Sequence, residues 1–317
     1  MTTRPPAVTV LMTAYNREAY IAAAIEGVLA QTFGDFELLI VDDCSTDGTV
    51  DVAQAYVSDS RVKVIRNPAN LGDYPNRNHG LGLVRGTFVK FQDSDDVIYP
   101  HALATMHGYL VGAPEAAFAL SGIWLSGPCP MLLTPRMSYE REFLGLGLFH
   151  GGPSNALFRT EALKSLQGFP LMGVGSDYVF WVSACARVSI LLIPGDLQWY
   201  RIHAGQELQS SRAAADYNAA RNFAWRMLNS PECPLTESAV RVARANFVFT
   251  IVRQAYWDFR AGHFKTAARR LLQSGIPAPE WPSLLRHRPR DPLAGTPLDA
   301  AGEPMMPDWN AVNAKIQ

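Results

Sequence analysis

The chain of 317 residues is short of several features that would have pointed to a function at once. Its four cysteines, Cys44, Cys129, Cys185 and Cys233, are scattered and form no C-x-x-C pair. That argues against a disulfide frame or a cysteine zinc site and favours free thiols in a reducing compartment. No apolar run approaches the ~18 residues of a membrane span. The opening residues, Met1-Thr2-Thr3-Arg4-Pro5-Pro6, lack the apolar core of a signal peptide, so a cytoplasmic placement is expected. Neither sign of charge dominates: 28 basic and 29 acidic residues leave a formal charge of −1. No basic field therefore calls for a nucleic acid partner. There is no G-x-x-x-x-G-K-[ST] phosphate loop. The nearest thing to a dinucleotide fingerprint, Gly80-Leu81-Gly82, lies within a predicted helix and meets Gly86 at the wrong spacing. Any phosphate must then be held by side chains and a metal. No repeat of solenoid length is found.

What is present is a strand that runs into acids. Thr87 to Gln92 is rich in β-branched and aromatic residues and predicts a short strand; Asp93, Asp95 and Asp96 follow at once. In an open α/β sheet the carboxyl edge is where ligands bind. Crowded carboxylates repel unless a cation or donors compensate them, and hard oxygen ligands suit Mg²⁺ or Mn²⁺. A solvated Asp/Ser turn with an Asp helix cap is the alternative.

The preceding chain repeats the theme. Ala7–Thr13 predicts a buried strand ending in Thr13-Ala14-Tyr15-Asn16, and Arg17–Gln31 a helix. Phe36–Val41 predicts a second buried strand running into Asp42 and Asp43, with a helix capped by Ser45, Thr46 or Asp47. Val62–Arg66 predicts a third strand, and a helix follows to Leu83-Val84. Alternating β and α with short connections predicts a parallel sheet with helices on both faces.

Further on, His101–Val111 predicts a helix and Ala116–Leu120 a strand. The proline-bearing Ser126–Met137 reads as an irregular insertion. A glycine-led turn into a strand follows at 151–158, then a loop at Gly168–Gly175, and a helix over Asp177–Ala186 capped by Ser176. Ile190–Ile193 and Leu197–Ile202 are expected strands. Trp199 is expected in the core, and Trp181 is a candidate for the acceptor side. After residue 212 strand patterns vanish, and helices are expected at Ala213–Leu228, Glu237–Arg260 and His263–Gln273. Beyond Gly275 the prolines predict an extended tail.

Taken together, Thr13-Ala14-Tyr15-Asn16, Gln31-Thr32-Phe33, Val41-Asp42-Asp43 with Ser45-Thr46-Asp47-Gly48-Thr49, Asn70-Leu71-Gly72 with Arg77-Asn78 and Gly80, Asp93-Ser94-Asp95-Asp96, Ser176-Asp177-Tyr178 with Trp181, and Tyr200-Arg201-Ile202-His203 carry a signature. From about Val8 to His203 the chain resembles the glycosyltransferase family 2 enzymes. The resemblance implies a GT-A fold, with a mainly parallel sheet flanked by helices, over residues 1–211. A nucleotide-sugar half would cover about 1–97 and an acceptor half about 98–211. Outside it lie a helical extension at 212–275 and a proline-rich tail at 276–317.

The resemblance implies transfer of a sugar, with inversion, from a nucleotide donor to a glycan or lipid-linked acceptor, and a UDP-sugar is the expected donor. It makes Tyr15 a stacking surface for the base, Asp43 a partner of the base edge and Asp93 a ribose contact. Thr13, Ala14, Asn16, Asn70, Arg77, Asn78 and Ser94 complete the donor site. Asp95 and His203 are the expected ligands of a Mn²⁺ or Mg²⁺ ion, and Asp177 the general base. Many members carry two acids in a row where this chain has Ser176-Asp177, which leaves Asp177 as the one carboxylate there. The rivals are a nucleotidyltransferase of related fold, which needs a glycine-rich basic loop after the first strand, and a non-catalytic nucleotide-sugar-binding or scaffold protein. Residues 260–290, basic with interleaved apolar side chains, read either as a peripheral membrane contact at the inner face of the plasma membrane or as a solvated face. The long helix Glu237–Arg260 is a candidate homodimer surface.

Overall fold

All seven residues of β1 (Val8–Ala14) are buried, the pattern of a strand covered on both faces. The computed structural model describes residues 4–122, 129–145, 147–149, 151–195, 197–203, 206 and 213–285. In it β1 pairs in parallel with β2 (Phe36–Asp42) on one side and β4 (Phe88–Asp93) on the other. β3 (Val62–Arg66) lies outside β2, also parallel. The crossover helices are α1 (Ile21–Leu29), α2 (Thr49–Gln54) and α3 (Asp73–Leu83). Beyond β4 come β6 (Phe118–Gly122), β7 (Met131–Leu133), β8 (Ala156–Arg159) and β9 (Ile190–Pro194), in the order β3-β2-β1-β4-β8-β6-β9-β7. β8 runs antiparallel to both β4 and β6, so the sheet is mainly parallel, as expected, with one antiparallel strand inside it. A separate antiparallel pair joins β5 (Val97–Ile98) to β10 (Gln198–Trp199).

The strand alternation sorts side chains to two faces. Val8, Val10 and Met12 join Ile21, Ile25 and Val28 of α1, together with Leu103 and Met106 of α4 (Ala102–Val111), in one core cluster. Each such buried aliphatic side chain stabilises the fold by roughly 1.5–3 kcal/mol. Leu11 points the other way, toward α3. A Cβ on Gly80 would stand 2.7 Å from the Leu11 side chain, so this helix approaches the sheet through glycine. Gly86 serves the same end: a Cβ there would lie 2.4 Å from the Thr9 backbone nitrogen.

The chain divides into two compact units. The first comprises Met1–Leu132, Gly151–Gly173 and Ser189–Gln206; the second comprises Leu133–His150, Val174–Val188 and Glu207–Gln317. The first holds nearly the whole sheet and α6 (Thr160–Ser165). The second is helical: α5 (Pro135–Leu144), α7 (Ser176–Cys185), α8 (Ala213–Leu228), α9 (Glu237–Arg260), α10 (Phe264–Leu272) and α11 (Trp281–Leu285). Its interior includes Trp225, Val248, Ile251 and Ile276, with Trp281 and Leu284 packed against them.

Several local expectations need correction. The segment read as an irregular insertion contains β7 and the start of α5. Thr134 accepts a hydrogen bond from the Met137 N–H at 3.4 Å and Pro135 occupies the first turn, so the proline begins a helix instead of breaking one. α2 begins after Gly48; the Thr49 N–H is capped at 3.0 Å by Asp47, two residues upstream. Ser176 is the first residue of α7, whose N-cap is Gly175. The strand expected over Leu197–Ile202 is only two residues long, because β5 offers it no longer partner. Trp181 is fully buried, a core residue and not an acceptor platform. Trp199 is 46% exposed, since β10 is covered on one side only, and the Arg201 guanidinium lies over its ring at 4.6 Å. The tail expected from 276 is ordered to Leu285, where Ile276 and Trp281 find apolar partners; the remainder, 286–317, lies outside the described residues.

Candidate active site at the carboxyl ends of β1, β2 and β4

Sheet order reverses at β1: the chain moves outward through β2 and β3, then returns to place β4 on the other side. Such a switch point opens a crevice beyond the carboxyl ends of the strands, because the two adjoining loops depart to opposite faces. Register aligns the ends: Ala14 pairs with Asp42, and Thr13 with Asp93. The acids read from sequence therefore converge on one edge.

The loops after β1 and β2 hold each other. Asn16, at φ 52°, accepts from the Thr46 N–H at 2.9 Å, while its own N–H donates to the Ser45 hydroxyl at 3.0 Å. Tyr15 stays 43% exposed, its ring available for a planar partner. Asp43 is buried and caps no helix. It accepts from the N–H groups of Leu71 and Gly72 and, at 2.9 Å, from the Asn67 side chain. Asn67 in turn donates to Asn76 at 2.9 Å, and Asn76 donates to the Val41 carbonyl at 3.1 Å. This chain of buried amides fixes the loop in which Asn70 sits exposed.

Asp93 is held from below. Arg77, buried in α3, donates to Asp93 at 2.6 Å and to Asp73 at 2.9 Å. Burial alone would raise the Asp93 carboxyl, but the Arg77 guanidinium and the Ser154 hydroxyl outweigh it and keep the group below the ordinary carboxylate range. Arg77 thus supports Asp93. Asn78 ties down a loop: its amide donates to the Phe169 carbonyl at 2.7 Å and its carbonyl accepts from the Phe169 N–H at 2.9 Å. Gly168, at φ +67°, makes room, since a Cβ there would stand 2.5 Å from the Asn78 oxygen.

Lys90 of β4 is fully buried beneath the same edge. Its ammonium donates to the Phe91 and Ser154 carbonyls, each at 2.6 Å, and burial pushes its pKa down to about 8. Gln198 donates to the Ser154 hydroxyl at 3.2 Å, so β10 is tied to the turn that supports Asp93. Ser94 is buried between the acids.

Asp95 and His203 meet. His203 Nε2 lies 3.0 Å from Asp95 Oδ2, and Arg17 Nε donates to the same oxygen at 3.0 Å. The imidazole packs on Tyr20 with ring centroids 4.6 Å apart. Arg201 fixes the turn through its backbone N–H, 2.9 Å from Asp96 Oδ1, and its side chain, 2.9 Å from the Asp95 carbonyl. Asp96 is buried; desolvation, then the nearby Asp93 and Asp95 charges, push its pKa up to about 7. A carboxylate oxygen and an imidazole nitrogen at one point fit a hard divalent cation. Among the described residues no three His, Cys, Asp or Glu side chains converge on a metal position. The pair suits an ion that takes its other ligands from substrate phosphates and water.

Asp177 belongs to the second unit. It lies in the first turn of α7, where one carboxylate oxygen accepts from the Tyr178 N–H at 2.7 Å. All the other predicted residues lie in the first unit. Sequence reasoning assigned no role to Arg17, Asn67, Asn76, Lys90 or Ser154. Of these only Lys90 carried a local signal, a cation in a strand otherwise buried on both faces.

Comparison with known proteins adds an independent line. A family model described as glycosyl transferase family 2 matches residues 9–166. The chain is 30% identical over 174 residues to the putative glycosyltransferase EpsE of Bacillus subtilis, covering 52% of this chain and 60% of that one. It is 32% identical over 198 residues to the succinoglycan biosynthesis protein ExoO of Rhizobium meliloti, covering 57% and 56%. The chain thus spans less than two thirds of the length of these two relatives. A third relative is covered more fully: over 215 residues the chain is 38% identical to the Escherichia coli UDP-Glc:alpha-D-GlcNAc-diphosphoundecaprenol beta-1,3-glucosyltransferase WfaP, covering 62% and 78%. Among solved structures, Staphylococcus aureus TarS 1–349 in complex with UDP-GlcNAc superposes with a TM-score of 0.58 at 24% identity, over 76% of this chain and 71% of that one. The mannosyltransferase PcManGT of Pyrobaculum calidifontis, in complex with GDP-Man and Mn²⁺, gives 0.58 at 17% identity, over 90% and 80%. These likenesses are of fold, and the fold is GT-A.

Proposed function

The chain belongs to glycosyl transferase family 2, and from that membership we propose that it is an inverting, metal-dependent transferase of polysaccharide or glycolipid biosynthesis. It moves a sugar from a nucleoside diphosphate to a hydroxyl of a glycan or lipid-linked acceptor. The observation that carries this reading is the meeting of Asp95 and His203 at 3.0 Å beyond the end of β4, beside the switch point. A UDP-sugar is the proposed donor and a diphospholipid-linked glycan the proposed acceptor class, on the analogy of the Escherichia coli relative's name. The catalytic domain is taken as residues 1–211.

In this reading Tyr15 stacks on the base and Asp43 accepts from its edge. Asp93, kept ionised by Arg77, accepts from the ribose hydroxyls. Thr13, Ala14, Asn16, Asn70 and Ser94 line the donor, and Asn78 acts through the loop it anchors. Asp95 and His203 would hold Mn²⁺ or Mg²⁺, whose chemistry when bound is Lewis-acid neutralisation of the departing diphosphate. Asp177 takes the proton of the acceptor hydroxyl as that oxygen bonds to the anomeric carbon. The anomeric carbon–oxygen bond to phosphate breaks in the same displacement, and its electron pair leaves on the nucleoside diphosphate. No covalent enzyme intermediate forms.

Calorimetric titration with UDP, GDP, dTDP and CDP, each with and without Mn²⁺, tests the donor site. One nucleotide should bind tightly and only with the metal. Binding of none by the folded protein overturns the transferase reading and favours a scaffold. Asp177→Asn should retain donor binding and lose transfer. Normal transfer by that variant refutes the assigned base.

A further inference from the structure

α10 is amphipathic, and it is docked the wrong way round for a helix that serves only a core. Phe264, Ala268, Leu271 and Leu272 share one face; Lys265 and Arg269 flank it. A helix of a globular unit normally turns its apolar stripe inward. Here the inward contacts are made by Ala267, which is buried, and by Arg270, which donates to Asp258 at 2.8 Å and to Gln254 at 3.1 Å. The apolar face points out: Phe264 is 59% exposed and Leu272 85%.

The last turn of α9 adds Phe259 to this surface. Phe259, also exposed, bridges the two helices through an edge contact with Phe264, ring centroids 5.1 Å apart. Beside these side chains stand Lys265 and Arg269, both exposed and without an ion pair among the described residues. An exposed apolar cluster of this size in a soluble unit marks an interaction surface.

We propose that this surface, Phe259, Phe264 and Leu272 framed by Lys265 and Arg269, docks on a bilayer of anionic phospholipid. The apolar side chains enter the acyl boundary, and the cations meet the headgroup phosphates. Charge complementarity selects this occupant. A second copy would bring the same cations face to face. The chain beyond α11 carries four basic residues (Arg286, Arg288, Arg290, Lys315) against four acidic ones (Asp291, Asp299, Glu303, Asp308), so it offers no net negative charge to the patch. The assignment rests on no assumption about the sugar chemistry, though a lipid-linked acceptor would be met at the same place.

The test is co-sedimentation of the full chain with vesicles of phosphatidylglycerol and phosphatidylcholine, against pure phosphatidylcholine, at low and high salt. Binding to the anionic vesicles should exceed binding to the neutral ones by about ten-fold or more and fall with salt. Phe264→Ser with Leu272→Ser should reduce it on the order of ten-fold or more with an unchanged melting curve, since both residues are exposed. Lys265→Glu with Arg269→Glu should remove the preference for anionic lipid. Failure of the wild type to sediment with anionic vesicles at low salt overturns the proposal. So does a double serine variant that binds as the wild type does. If equilibrium sedimentation instead shows a dimer that the serine variant dissociates, with no vesicle binding, the occupant is a second copy.

Discussion

The strand-end loops of the first unit and the α9–α10 end of the second are both surfaces, and they are built oppositely. At the strand ends, polar groups are spent on one another. Asp43 accepts from two backbone N–H groups and an amide, Asp93 accepts from Arg77, and Asp95 faces Arg17 and His203. At α9–α10 apolar side chains are left exposed. Buried charge demands fixed geometry, because an unpaired ion in low dielectric costs several kcal/mol. Exposed apolar area makes no such demand, because its hydrophobic attraction is non-directional. The first region is therefore preorganised for a small charged ligand, and the second for a surface.

The sharpest way to break this contrast is Asp95→Ala. It removes the carboxylate shared by Arg17 and His203, and metal-dependent nucleotide binding and transfer should fall on the order of 10³-fold. Calorimetry and a sugar-transfer assay read it; retained metal dependence would mean the ligand lies elsewhere. Next is Arg77→Met, which strands Asp93 and Asp73. Denaturant midpoints should report a loss of about 3–5 kcal/mol, and adding Asp93→Asn should recover part of it.

Lys90 gives a pH signature. Its folded pKa of about 8 lies below the ordinary 10.5, so across that interval the unfolded chain binds the extra proton. Stability should then rise from pH ~8 to ~10.5 by about 3 kcal/mol relative to Lys90→Met, and the difference should be flat below pH ~8. Thermal melts of both proteins across that range measure it. The smallest effect sharpens the comparison. Leu272→Ser should change stability by no more than about 0.5 kcal/mol, whereas Leu11→Ala in β1 should cost about 2–5 kcal/mol.

Much of this was legible in the chain. Continuous apolar runs marked β1 and β2, because strands buried on both faces carry no polar alternation to confuse them, β-branched and aromatic residues marked β4, and β2 and β4 ran on into acids. The helix at 237–260 was legible from its apolar spacing, and that at 213–228 from the loss of strand patterns in an alanine- and arginine-rich stretch. Short or edge elements were not. β5 and β10 are two residues each and exist only because they meet. Thr134-Pro135 carried a helix-start signal, but the surrounding prolines suggested a break.

The site divides in the same way. Which residue types stand at the strand ends, and that they are acids, asparagines and an exposed tyrosine, is written in the order of the chain, since each follows its strand directly. Which of them act on a ligand and which hold others was decided in three dimensions. Arg77 and Asn78 are adjacent in sequence, yet one braces Asp93 and the other anchors Phe169, because neighbours on a helix point about 100° apart. Asp95 and His203 are separated by most of the first unit and meet only because β10 pairs with β5. Local sequence determines the strand, the turn and the chemistry at its tip. The pairing of distant segments determines where that chemistry points, because a side chain's partners are set by backbone placement and not by its own identity.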